Sequence, residues 1–569
     1  MPRLLNQLPN IRMGAIVAVL ISACSGGGSG SSGNQAPIAT GDIVRAAGAE
    51  LGSIDVLAND SDPEGDTLTV AIEESPNVGT AAVNSDGTVG ISELPSGFKG
   101  LTQFRYRVSD PEGASAIGTA AIFIGVAPFR VAFAADESGG GFPEVFMTDF
   151  VSPPAAITAA TEGNFKLRGF VVSDNGATIV YRRQDMTDDA ATELAFVRTD
   201  DGAQQVPIEL PNGSRPVRDA QGNDQYRVSP DGQWVATIAR DGTAPVLYVL
   251  DVSDPATVTP VSPVGAERVT LPRFSLDSRA LYFLASDAAT GTGKSLYTVA
   301  LDNPGTVAQI SAPIAAGSSD DVLEYTVAPN QERILLEAQR NGRVGLYFVD
   351  PTDLQNEIQV SHTLAVGEKI LESTVGLPVG SGGSGERVAY TTQSLTVSSY
   401  VAEVSANPNP RGIATSGARI IGFRPDDAAL LYTKNGQVFE SIVDSAAADH
   451  VVGDGGNAWY DSTGNIVLLE QFLSSGGSPP SYPALAVAVR GSFGTTQPLG
   501  TSGLAAHFID TSGMDRGVAI VGEGATTGAA PTSVRLALVN ALAPDAPLYL
   551  ADFESPLQLT SGIAQVVTN

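Results

Sequence analysis

Along most of the chain, apolar and polar residues alternate in short runs broken by clusters of Gly, Pro, Asp, Asn and Ser. A period of two marks a strand that buries one face. Phe104, Tyr106 and Val108 fall on one side, and Gln103, Arg105, Arg107 and Ser109 on the other. Asp86-Gly87, set between Ala81-Ala82-Val83 and Val89-Gly90-Ile91, reads as a hairpin turn. The pattern predicts an all-β protein. Its texture divides the chain into a small unit at about 36–126 and a long array at 127–569.

The small unit has about seven short strands, which suits an immunoglobulin-like sandwich. Val56-Leu57-Ala58-Asn59-Asp60-Ser61-Asp62-Pro63-Glu64-Gly65-Asp66 resembles the signature of bacterial cadherin-like, Ig-type repeats. Gly97-Phe98-Lys99-Gly100 and Phe104 to Gly113 carry the same resemblance. It implies a spacer or adhesion module of the kind often stiffened by calcium. Asp60, Asp62, Glu64 and Asp66 crowd one turn, and Asp110 sits in a second. Calcium takes six to eight oxygens, so these five are the candidate ligands. An EF-hand is excluded, because the twelfth loop position is Ala71 and not Glu. Turn formation alone is the competing reading, since Asp caps its own backbone.

The array repeats. Tyr226-Arg227-Val228-Ser229-Pro230-Asp231-Gly232 is followed by an apolar strand and then by Leu247-Tyr248-Val249-Leu250. Related turns occur at Ser173, Ser275, Ala328, Arg424, Asp461 and Asp510, spaced 37 to 56 residues apart apart from one gap of 96. That gap holds a further unit near Arg387-Val388-Ala389-Tyr390. Four short strands per unit at this period predict a β-propeller. Eight blades are favoured, with seven and nine as alternatives. The unit from Phe129 lacks an opening strand, which Ile563 to Val567 are placed to supply. The Ser-Pro-Asp-Gly turn before an apolar strand resembles the TolB-type propeller blade, most clearly over 170–350.

Composition narrows the chemistry. The 569 residues hold 62 acidic and 32 basic side chains, a formal charge of −30. Such a chain repels phosphate backbones, so nucleic acid is not an expected partner. One cysteine and three histidines exclude a disulfide framework, a zinc-thiolate site and a cysteine nucleophile. That cysteine, Cys24, ends Ile21-Ser22-Ala23-Cys24, which resembles a bacterial lipobox. Arg3 and Arg12 precede an apolar stretch too short to cross a bilayer, so 1–23 read as a lipoprotein signal peptide. Residues 24–35 form a Gly/Ser tether. A lipid on Cys24 would hold the protein to a membrane, and Ser25, where an inner-membrane retention signal would have Asp, favours the outer one.

Several catalytic signals fail. Gly291-Thr292-Gly293-Lys294-Ser295 precedes a strand, not the helix that a phosphate-binding loop needs. No Gly-x-Ser-x-Gly elbow occurs. His362, His450 and His507 have no ligand-like spacing, although His507 opens a blade and could face the channel. The expectation is a non-catalytic envelope protein whose propeller loops bind a protein or glycan. The alternative is a propeller-type lyase acting on envelope polysaccharide.

Overall fold

The computed structural model describes residues 34–568 outside a set of connecting segments. The longest of these are 136–143, 376–386, 472–483, 524–532 and 554–563, and from 499 onward only the backbone is described. Cys24, the segment 1–23 and tether residues 24–33 lie outside the described residues.

The N-terminal unit is a sandwich. Strands β1 (Asp42–Ala46), β2 (Thr69–Glu74), β3 (Thr80–Val83), β4 (Val89–Ser92), β5 (Gly100–Ser109) and β6 (Ser115–Ile124) form two sheets. One has the order β1-β6-β5-β2, with β1 parallel to β6, and the other is the β3–β4 hairpin. Gly87 supplies the positive φ, 85°, that the hairpin turn requires. The predicted alternation along β5 holds: Phe104, Tyr106 and Val108 are buried with Val56, Val89, Ile122 and Ile124. On the opposite side, Arg105 and Arg107 pair with Glu74 and Glu73, each at 2.8 Å.

This core includes one acid. The Tyr106 hydroxyl lies 2.7 Å from Asp42 Oδ2 and 2.9 Å from the Thr40 carbonyl oxygen. Burial, reinforced by the charges of Asp60 and Asp55 and opposed by the Tyr106 hydrogen bond, pushes the Asp42 carboxyl up to about 7.

The C-terminal region is a propeller. Among the described residues it comprises nine sheets, where the spacing of turns favours eight. The extra one is made by the two ends of the array. Ala564–Thr568 pairs antiparallel with Phe129–Ala135, which continues into Glu144–Thr148 and Ala155–Ala156. A turn signature marks the hairpin between a blade's first two strands. Here those strands come from opposite ends of the array, so no such turn exists to be counted.

Hydrophobic contact holds the ring together. One cluster joins Val145 and Met147 of the first blade to Phe170, Ile179 and Val197 of the second. Another joins Phe196 and Ile208 to Tyr226, Val235 and Leu250. The series continues through Leu247 with Phe283, Leu296 with Leu336, Phe348 with Tyr390, Ala389 with Leu430, and Leu431 with Val467. Each of these clusters draws on two neighbouring blades. A strand with period two sends its side chains to both faces, and here both faces meet another sheet.

The repeated turn adds a polar staple. Ser229 Oγ donates to Asp231 Oδ1 at 2.6 Å and accepts from the Trp234 amide, while the Gln233 amide also reaches Asp231. Ser275 and Asp277 repeat this pattern, with Ser278 in the glycine position at φ 59°. The turns also bond to each other. Asn175 Nδ2 donates to the Asp231 carbonyl at 2.7 Å, Thr178 to the Gly232 carbonyl at 2.7 Å, and the Asp231 amide to Ser278 Oγ at 3.0 Å. In the seventh blade Arg424 replaces the serine and grips Asp426 through two nitrogens at 2.6 and 2.8 Å.

Two outcomes follow from this architecture. Deleting 561–569 removes five ladder-paired residues, which at about 1 kcal/mol each, before the loss of ring closure is counted, should lower the thermal midpoint markedly; an unchanged melt would refute the closure. Asp42 generates a pH dependence. Its folded pKa of about 7 exceeds the ordinary 3.8, so its stabilising protonated state is fully present below pH 4 and is lost as pH rises through 7. Asp42→Asn should flatten the decline in stability between those values, measured by denaturant titration at each pH. A parallel slope in both proteins would show that Asp42 does not titrate in this window.

Candidate binding site at the propeller axis

The first strand of each blade lies nearest the axis, as the contacts of Phe165–Val172 with Tyr226–Val228, and of Lys369–Val375 with Arg419–Phe423, require. Six of these strands share an irregularity. Their register with the second strand shifts at Arg168, at Leu271-Pro272, at Leu323, at Leu371, at Ile421 and at Leu504. A bulge bends a strand and re-aims the side chains beside it. The bulges sit at one level, so they form a belt around the axis.

The third blade enlarges its bulge into a loop. Arg215–Pro216 and Tyr226–Val228 both pair with Trp234–Arg240, and the chain leaves the sheet between them. Val217 and Gln225 both bond to Ile238, and Arg218 bridges to Asp224 across the neck of the excursion. Its sequence trace is the 56-residue step from Ser173 to Ser229. Gly169 of the second blade admits it: a Cβ there would lie 3.1 Å from Asp224 Oδ2 and 3.4 Å from the Tyr226 hydroxyl.

Charge gathers at this belt. Arg182 Nε lies 2.8 Å from Asp224 Oδ1, and Arg218 Nε lies 3.1 Å from the same oxygen. The Arg182 contact is off the hydrogen-bond angle. Its Nε and Nη2 are therefore buried without a hydrogen-bond partner among the described residues, on a side chain only 6% exposed. Arg227 Nη1 donates to the carbonyls of Tyr226 and Asp224, at 2.6 and 3.3 Å. Burial first, and then the neighbouring Arg273 charge, lower the pKa of this guanidinium. Arg273 pairs with Glu324 at 3.0 Å, and Arg419 with Glu372 at 2.5 Å. Glu337 stands opposite Glu324 across two strands, and burial together with the Glu324 charge pushes it up to about 7. Blades two to four thus present arginines to the axis, and blades five and six present glutamates.

The residues singled out in the sequence lie elsewhere. Asp62 Oδ1 accepts the amides of Glu64 and Asp66, and Asp110 Oδ1 accepts those of Gly113 and Ala114. Asp60 Oδ1 accepts the Thr40 amide, while Glu64 and Asp110 hold Gln35 and Asn34. Asp62 and Asp110 thus cap turns, Glu64 and Asp110 fasten the end of the tether, and Asp60 holds the Thr40 backbone. Among the described residues no three His, Cys, Asp or Glu side chains come together as a metal site. Asp60 and Asp62 each keep one shielded Oδ2 without a hydrogen-bond partner, and those are the oxygens a calcium ion would need. His362 Nδ1 lies 3.0 Å from the buried Tyr390 hydroxyl, and His450 is exposed on an outer strand. His507 is in the first strand of the ninth blade, where only the backbone is described. Lys294 follows a hairpin and pairs with Asp321, so the glycine-rich run before it joins two strands.

Comparison with known proteins identifies the N-terminal domain. Residues 34–123 match the family of the bacterial Ig domain. No curated protein matches the chain. Among solved structures, a eukaryotic initiation factor aligns at 12% identity over 78% of this chain and 98% of its own, with a TM-score of 0.49. TolB from Acinetobacter baumannii aligns at 13% identity over 61% and 81%, TM-score 0.28. An oligogalacturonate lyase in complex with manganese aligns at 12% identity over 64% and 98%, TM-score 0.35. The chain carries a bacterial Ig-type domain at residues 34–123, followed by a propeller.

Proposed function

We propose that the chain is a lipid-anchored binding protein of the cell envelope. A lipid on Cys24 fixes it to the outer membrane, the Gly/Ser tether and the sandwich set its reach, and the propeller receives a protein or glycan ligand. The observation that carries this reading is the axial belt, where Arg182, Arg218, Arg227 and Arg273 converge in a chain of net charge −30. Concentrating like charge at one half-buried place costs stability, and a ligand at the axis accounts for it. The acidic exterior supports the absence of nucleic acid among its partners.

The test is affinity capture. Chain immobilised through its C-terminus should retain a specific component of a solubilised envelope extract, and the double variant Arg227→Gln, Arg273→Gln should not. Equal retention by both would remove the axis from the function. Cys24→Ala should move the protein from the membrane fraction to the soluble one; membrane retention of that variant would sink the anchor.

One observation favours a second reading, an enzyme acting on envelope polysaccharide. Glu324 and Glu337 are paired carboxylates of unlike environment, one ion-paired to Arg273 and the other raised to about 7. Such a pair can divide acid and base roles at neutral pH. If this reading is right, uronate-containing oligosaccharides will be cleaved, and Glu337→Gln will reduce the rate about 100-fold or more. No cleavage by the wild-type chain, with or without added divalent metal, would exclude it.

A further inference from the structure

The structure assigns a carboxylate-binding subsite to the arginine side of the axis, centred on Arg227 and completed by Arg182 and Arg273. The inference deepens the binding reading above, on which it rests, by naming the chemistry of the ligand.

It begins from pairing. In a chain with nearly two acids for every base, the arginines of the propeller ordinarily find carboxylates: Arg183 with Glu193, Arg340 with Glu357, Arg419 with Glu372, Arg424 with Asp426. Arg227 is half-buried and, among the described residues, has only backbone carbonyls. Arg182 is more deeply buried and leaves Nη2 without a hydrogen-bond partner. Both adjoin Asp224, which already faces Arg218 as well. Tyr226, next in sequence to Arg227, is only 2% exposed and turns its hydroxyl toward the same place. It points to the space beside Gly169, which it shares with Asp224 Oδ2.

Arg182 Nη2 is a buried donor without a hydrogen-bond partner, and Arg227 meets only neutral acceptors. A buried guanidinium nitrogen without a partner costs free energy, and an oxyanion held by two N–H groups recovers it. Carboxylate fits better than phosphate. The acidic arc of Glu324, Glu337 and Glu372 continues from the same belt, beginning at the Arg273–Glu324 pair, and it repels a dianion more strongly than a monoanion. It also offers acceptors to hydroxyl or amide groups elsewhere on the ligand.

The probe pair is glucuronate and glucose, which differ at one carboxylate. Calorimetric titration of the full chain at constant ionic strength should show saturable glucuronate binding, with glucose at least about tenfold weaker. Arg227→Gln should weaken glucuronate about tenfold or more, and Arg227→Lys, which keeps charge but not the planar fork, should fall between. Arg240→Gln, an exposed arginine of the same blade, should change nothing. Unchanged melting curves in chloride establish that the variants fold. No saturable glucuronate binding, equal binding of glucose, or full binding by Arg227→Gln would each overturn the subsite. Tighter binding of inorganic phosphate would overturn the choice of carboxylate. Glucuronate binding by a chain that captures nothing from the envelope extract would leave the subsite standing and remove the envelope-ligand reading.

Discussion

Every blade of this propeller depends on its neighbours for an interior. A four-stranded sheet is one layer thick, and alternation sends half of its side chains to each face. The described clusters therefore straddle blade boundaries, with Phe196 answering Tyr226 and Leu247 answering Phe283. No blade owns a core. Stability in such an array is a property of interfaces and not of units, so it is complete only when the interfaces form a ring. The Ser-Asp turns follow the same logic. Their internal bonds shape one hairpin, but Asn175, Thr178 and Ser278 also bond across to the adjacent turn and fix the angle between sheets.

That arrangement leaves the axis as the place where sequence is freest. First strands pack laterally through their apolar positions, and the bulges release a residue or two from the ladder at a common level. The third blade shows how far this can go, with an entire excursion inserted between Pro216 and Tyr226 while pairing to the same second strand resumes on either side. Charge accumulates at that level because neighbouring strands hold it there. Glu324 meets Arg273 across two blades, and Asp224 meets Arg182 across two others. A site assembled this way is positioned by the ring, and single loops contribute little to it.

Much of the fold was legible in sequence, and the reason is local. The β5 alternation and the Asp86-Gly87 turn are decided by neighbours a few residues away, as is Ser229-Pro230-Asp231-Gly232. Copies beyond 370 were harder to read because the chemistry of the turn changed while its geometry did not: Arg424 does by ion pairing what Ser229 does by hydroxyl. The split blade has no hairpin turn between its first two strands, yet the unit from Phe129 without an opening strand already pointed to the C-terminal residues that pair with it. The axial site was not legible at all. Arg182, Arg227, Arg273 and Glu324 come from four blades, and nothing in the order of residues says that they meet. The sandwich carboxylates are the converse case: their clustering is plain in the sequence, and the structure shows Asp62 and Asp110 capping turns while Asp60 and Asp62 each keep one shielded oxygen without a hydrogen-bond partner.

The shared first blade also sets a timetable. Phe129–Ala135 is among the earliest propeller strands to be translated, yet its axial partner, Ala564–Thr568, is among the last. At about 5–20 residues per second, the ribosome needs on the order of half a minute or longer to bridge that interval. Throughout it, one β-edge and two apolar sheet faces remain unmatched. The growing array is thus a sticky, open stack for most of its synthesis, and the sandwich, finished before any blade, is the only part able to fold to completion early. Until the final strand arrives, those surfaces are open to non-native contacts.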